Sequence, residues 1–161
     1  MSAFTSDKLG GGNAALGHSA LAAGTTTTTT YGAIAYRIGA KTYTKAAGSN
    51  STTPTTDAVT GAAFVTLVDG DACVFVFGFN AAGTFQCIQG PVTEDYEYQN
   101  GIGVVEFPAL PDTFAPIGYE LIQCASGATD WTMGSSNQAS VTGITYTFQS
   151  VAFLPNRPLA A

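Results

Sequence analysis

The chain is short of charge, and above all of cations. Charged residues make up 10 % of its 161 positions, against roughly a quarter in ordinary soluble domains. The basic residues are Lys8, Arg37, Lys41, Lys45 and Arg157, so no Lys or Arg occurs from Ala46 through Asn156. Every acid except Asp7 lies inside that stretch, and the formal net charge is -6. Nucleic-acid binding needs clustered Lys and Arg against phosphate, and this distribution excludes it as a first reading. The one local basic group is Arg37, Lys41 and Lys45. On a hairpin, Arg37 and Lys41 are expected to lie close together, as a solvated face.

Histidine is nearly absent too. His18 is the only one, and it sits in a Gly/Ala-rich segment that gives a catalytic base no rigid support. No GxSxG and no phosphate-cradling glycine motif occurs. The three cysteines, Cys73, Cys87 and Cys124, have no CxxC spacing, so neither a metal nor a cofactor is expected. An odd number cannot pair fully within the chain. Each lies in an apolar, strand-like context and reads as a buried free thiol, which points to assembly in a reducing cytoplasm. No run approaches the roughly 18 apolar residues of a membrane helix. Met1 to Gly12 has no apolar core of a secretory signal, so neither membrane nor export is expected.

What the chain does have is apolar mass. Hydrophobic residues make up 45 % and mean hydropathy is +0.19, so the chain folds, as one domain. The low charge leaves two readings: a Thr/Ser/Gly surface that is polar but uncharged, or a surface buried in an assembly.

The order of elements follows from turn residues and period-two patterns. Residues 1–24, rich in Ala, Gly and Ser with isolated Leu9, Leu16 and Leu21, read as a flexible or docking N-terminal arm. Thr25 to Thr30 are all Thr, β-branched and extended. Tyr31–Ile38 and Lys41–Lys45 form a hairpin about Gly39-Ala40. Gly48 to Thr60 reads as a loop. Phe64–Val68, Ala72–Phe79 and Thr84–Gln89 read as strands, the second so apolar that both its faces must be covered. Gly90 to Pro116 is irregular; its four prolines forbid a continuous helix or a central strand. Within it, Ile102–Phe107 is a candidate short strand. Ile117–Ala125 and Ile144–Phe153 complete the set, and 154–161 is an extended C-terminal tail. The sum is an all-β fold, a β-sandwich or jelly-roll-like domain over 25–153 with an extended N-terminal arm.

Chemistry-bearing residues are few. Glu94, Asp95, Glu97 and Glu106, interleaved with Tyr96 and Tyr98, could serve as a carboxylate pair for glycoside hydrolysis. With Asp69 and Asp71 they could supply part of a calcium shell. An exposed acidic loop is the plainer account. Phe64, Phe75, Phe77, Phe79, Phe85 and Phe148 read as core. Tyr96, Tyr98 and Phe114 fall in loop contexts and are candidate partner contacts, together with Leu9, Leu16 and Leu21 of the arm and Arg157 of the tail.

Roughly residues 64–158 resemble a group of small tailed-bacteriophage virion proteins. The likeness is carried by VFVFGFNAAGT (74–84), QGP (89–91), PALPDTFAPIGYELIQ (108–123), WTMG (131–134), GITYTF (143–148) and LPNRP (154–158). The resemblance implies a non-enzymatic capsid decoration (cement) protein, a homotrimer on the virion surface that clamps neighbouring copies of the major capsid protein, with arm and tail lying along neighbouring subunits. It supplies no catalytic residues, and the acidic stretch from Glu94 to Glu106 departs from its pattern. The second expectation is a tail-fibre or host-surface-binding appendage that touches a glycan through Tyr96 and Tyr98. A glycan-active enzyme using Glu94, Asp95 or Glu106 is the third.

Overall fold

The computed structural model describes residues 12–94, 104–155 and 158. Ten strands and no helix occur among them. They are β1 (Ala14–Ala15), β2 (Ala22–Ala23), β3 (Thr28–Tyr31), β4 (Ile34–Ile38), β5 (Lys41–Lys45), β6 (Gly48–Thr52), β7 (Ala72–Asn80), β8 (Phe85–Gln89), β9 (Phe114–Cys124) and β10 (Ile144–Ser150). All pairings are antiparallel. Three sheets result, in the orders β1-β4-β5, β2-β3-β6 and β10-β9-β7-β8. The fold is all-β and sandwich-like.

The four-stranded sheet is the centre because its two inner strands are apolar on both faces. Along β7, Cys73, Phe75, Phe77 and Phe79 enter one core cluster, while Ala72, Val74 and Val76 enter the other. That is the alternation of a strand with no solvent side. β9 does the same, with Ile117, Ile122 and Cys124 on the first face and Tyr119 and Leu121 on the second. The first face is covered by Tyr31, Ile34 and Tyr36 from the small sheets and by Phe64, Leu67, Trp131 and Met133 from loops. The second is covered by irregular chain, with Val105 buried and Phe107, Leu110, Val151 and Leu154 packed beside it. Phe107 meets Tyr119 edge-on at 5.0 Å.

Several expectations need correction. The described part of the expected arm, residues 12–24, is built into the body. Ala14 and Ala15 are buried and pair with Arg37 and Tyr36. The Ser19 hydroxyl donates to the Ile117 carbonyl at 2.8 Å. Leu21 fits over Gly118, where a Cβ would stand 2.9 Å from the leucine Cδ2. The domain therefore starts before residue 25. Gly48–Thr52, expected as loop, is strand β6, because its Ser and Thr residues satisfy their backbone against the threonine strand β3. Phe64–Val68, expected as strand, makes only the isolated Leu67–Trp131 bridge. Phe64 and Leu67 anchor it while Val65 and Val68 are exposed. The described part of Ile102–Phe107, from Val104 on, is likewise not a strand.

Pro116 lies inside β9, which the prolines were expected to forbid. It sits at the register shift where Phe77 pairs with Gly118 and Gly78 with Pro116. β10 reaches only to Gly118, so the missing proline N–H falls at a bulge beyond that strand's cover. The β4–β5 hairpin forms as expected, turning at Gly39 with φ +57°. Its register sets Arg37 opposite Thr42 and Lys41 opposite Ile38. Arg37 and Lys41 therefore point to opposite faces, and no basic patch forms between them.

The bulge leaves no room at Gly78. A Cβ there would overlap the Ala115 carbonyl oxygen and come within 2.5 Å of Phe114 Cζ. Gly78→Ala is expected to cost about 3 kcal/mol, measured by urea unfolding. A cost below about 0.5 kcal/mol would contradict the close approach.

Candidate contact surface

Of the residues marked as partner contacts by sequence, Leu9, Tyr96, Tyr98 and Arg157 lie outside the described residues. Leu16 is 52 % exposed. Leu21 is only 6 % exposed and belongs to the first core cluster. Phe114 is not a loop aromatic. It opens β9, is 1 % exposed and packs in the second cluster. The neighbouring prolines disguised a strand end as loop.

Phe114 nevertheless forms part of the wall of a surface cleft of about 350 Å³. Gly12 and Asn13 contribute from one end of the described chain, Phe153 and Leu154 from the other, and Leu110, Pro111, Asp112 and Pro116 complete it. Asn13 builds this meeting point. Its Nδ2 donates to the carbonyls of Asp112 (2.8 Å) and Phe114 (2.9 Å), and its Oδ1 accepts from Gly39 N at 2.8 Å. One side chain thus ties the N-terminal segment, the start of β9 and the hairpin turn. Nothing in the sequence singled it out, since an Asn after three glycines reads as a turn residue. Ala15 N donates to the Ala152 carbonyl at 3.3 Å; Leu16 and Phe153, each the next residue in sequence, are both exposed, Phe153 by 66 %.

The acidic candidates do not converge. Glu94 and Glu106 are exposed, while Asp95 and Glu97 lie outside the described residues. Asp69 Oδ1 accepts from Gly127 N and Asp71 Oδ2 from Val68 N, so both carboxylates hold turns. His18 is exposed, and its Nδ1 accepts from Ala20 N at 3.2 Å. No group of three or more His, Cys, Asp or Glu positioned for a metal occurs among the described residues.

Cys73, Cys87 and Cys124 are free and buried. Burial pushes the Cys73 thiol up to about 12 and Cys124 to about 11. Burial raises Cys87 as well. Such thiols are not nucleophiles at neutral pH.

Two further carboxylates stand out. Asp57 accepts from Val59 N, Thr60 N and the Thr60 hydroxyl through Oδ1, and from Gln89 N through Oδ2. Partial burial raises its pKa, but these hydrogen bonds outweigh that and hold it below the ordinary value. Asp57 thereby caps the outer edge of β8, where Ala58 N also donates to the Cys87 carbonyl at 2.9 Å. Glu120 is the opposite case. It sits in β9 between Phe75 and Phe148, is 0 % exposed, and neither carboxyl oxygen has a hydrogen-bond partner. Burial pushes its pKa well above the usual carboxylate range, so the folded chain holds it as the neutral acid.

No family model, curated protein or solved structure matches the chain.

A carboxyl whose pKa is raised on folding binds its proton more tightly in the folded state. Its contribution is fully present below the unfolded value of about 4.3 and is lost as pH rises toward the folded value. Asp57 acts oppositely, losing its contribution as pH falls below about 4. Between pH 5 and 7 the wild type is therefore expected to lose up to about 1.4 kcal/mol per pH unit through Glu120. Glu120→Gln removes that slope, read by urea unfolding across the interval. Parallel pH profiles for wild type and variant would contradict the neutral buried acid.

Proposed function

We propose that the chain is a non-enzymatic structural virion protein. It is a capsid decoration (cement) protein that binds the outer shell of a tailed bacteriophage as a homotrimer and bridges subunits of the major capsid protein. The observation that carries the reading is the end of the molecule where both termini of the described body meet. Phe153 lines the cleft there together with Pro111, Pro116 and Phe114, and Leu16 and Phe153 both expose large apolar groups. Apolar side chains presented around a rigid concavity are the form of an interface anchor. Many weak contacts on a repeating shell add by multivalency.

Two further features support contact rather than chemistry. Among the described residues the three thiols and Glu120 are buried, and Asp57, Asp69 and Asp71 accept hydrogen bonds from backbone N–H groups. The sequence resemblance over residues 64–158 points to the same class. The appendage alternative rests on Tyr96 and Tyr98, and no described geometry favours it over the shell reading.

The test is co-sedimentation of the purified protein with shells assembled from the major capsid protein of the same genome. Wild type is expected to saturate the shells. Leu16→Asp combined with Phe153→Asp is expected to weaken binding at least about tenfold. Both residues are exposed, so the variant should keep the wild-type circular dichroism spectrum. Shells that bind no wild-type protein, or bind the double variant equally well, would overturn the reading.

A further inference from the structure

The outer edges of the three sheets differ in how they are protected. β8, at one side of the central sheet, is capped by Asp57, whose Oδ2 accepts from Gln89 N, and by Ala58 N on the Cys87 carbonyl. β5 carries Lys41 and Lys45. β1 and β2 are two residues long, and β6 passes through Asn50 at φ +52°. Short length, edge lysines, local kinks and capping all discourage pairing with another chain. β10 is the remaining edge. It runs for seven residues, Ile144–Ser150, and no charged residue occurs from residue 131 through 156.

Hydrogen bonds at its two ends show which groups β10 presents outward. Ala125 N donates to the Gly143 carbonyl, and Val151 N donates to the Ile117 carbonyl. With Thr145 opposite Gln123, Thr147 opposite Leu121 and Gln149 opposite Tyr119, these alternate residues are the ones that bond β9. The N–H and C=O groups of Tyr146, Phe148 and Ser150 therefore point away from the sheet, and no strand among the described residues pairs with them. Thr147 lies at the middle of the strand. It is 4 % exposed, and its hydroxyl has no hydrogen-bond partner among the described residues. Burying a hydroxyl without a partner is costly, and nothing in the single chain offsets it.

We propose that β10 pairs antiparallel with β10 of a second copy of the chain about a twofold axis at Thr147, joining the two central sheets into one. This register sets Tyr146 of each copy opposite Phe148 of the other, and each pair exchanges both of its N–H···O bonds. The two aromatic cross-strand pairs add to the contact. Thr147 faces its own copy in a non-hydrogen-bonded pair, with Cα atoms about 4.5 Å apart. Rotation about χ1 then lets the two hydroxyls bond each other, which supplies the missing partner. Like charges never meet, because β10 has none; β5 paired in the same way about Tyr43 would set Lys41 against Lys45. An isologous contact needs a self-complementary patch, and β10 is one, so the occupant is a second copy. Ser19 and Leu21 N engage the Ser150 hydroxyl, so the contact is centred on Tyr146–Phe148. The inference goes beyond the proposed function and does not depend on it, since a twofold contact at β10 joins trimers as readily as single chains.

The experiment is light scattering after size exclusion at about 50 μM protein, followed by cysteine cross-linking. Wild type is expected to contain an even number of protomers. Thr145→Lys with Gln149→Lys sets lysine against lysine across the axis and is expected to halve the mass with an unchanged circular dichroism spectrum. Thr145→Glu with Gln149→Lys sets opposite charges there and is expected to keep it. Under mild oxidation, Thr145→Cys mixed with Gln149→Cys is expected to give a covalent dimer. Thr145→Cys alone is expected to give none, because its two copies stand four residues off register, about 13 Å apart. An odd-numbered wild-type mass, equal masses for the two double variants, or equal cross-linking of Thr145→Cys alone would overturn the inference. A monomeric wild type that still binds shells would overturn it, leave the cement reading in place, and assign the β10 edge to a strand of the shell or another segment of this chain.

Discussion

Everything in this molecule follows from one constraint: β7 and β9 carry apolar side chains on both faces, so the sheet they centre must be covered twice. β7 is buried along its whole length except at its last residue. The first cover is supplied by the small sheets and by the loops bearing Leu67, Trp131 and Met133; the second is supplied by irregular chain around Val105, Phe107 and Leu110. A chain this poor in charge cannot leave such a sheet half-open to water without exposing a large apolar face. The N-terminal segment is recruited as cover for the same reason, and Ser19 reaches Ile117 across 98 residues of sequence to fasten it.

The same double burial explains Glu120. At the centre of an ordinary one-sided sheet, a glutamate among alternating apolar residues would face solvent. Here there is no solvent side, and the carboxyl ends between Phe75 and Phe148 without a partner. Removing a lone carboxylate from water costs more than protonating it, so the group becomes neutral. The asymmetry with Asp57 is one of hydrogen bonds: four donors converge on that carboxylate and keep it ionised.

What was legible in the sequence was local. The apolar run from Ala72, the return through Phe85–Ile88, the Gly39 hairpin and the alternation of Ile144, Tyr146 and Phe148 are patterns contained in one strand or one turn, and the structure has them. The three cysteines are buried free thiols, as their apolar neighbours implied. What depended on distant pairing was not legible. β6 is polar and becomes a strand only because β3 lies beside it. Pro116 is tolerated because β10 stops short of it. Ala14, Ala15 and Leu21 look like fragments of an arm until β4 and Gly118 are placed against them. The contact surface divides in the same way. Leu16 and Leu21 read alike in the sequence, as isolated leucines, yet Leu16 is exposed and Leu21 buried, and the cleft needs Asn13 to bind Asp112 and Phe114 from a distant part of the chain.

The proposed contact function rests on exposed apolar groups near both ends of the described body, Leu16 and Phe153, in a charge-poor chain. The measurement that tests this most directly is hydrogen exchange by mass spectrometry, on the free protein and on protein bound to capsid shells. The account predicts that shell binding slows exchange at residues 12–16, 110–116 and 152–154, while β7 and β9 are already the slowest in the free state. Protection confined to other surfaces, or exchange unchanged by the shell at those three segments, would contradict it.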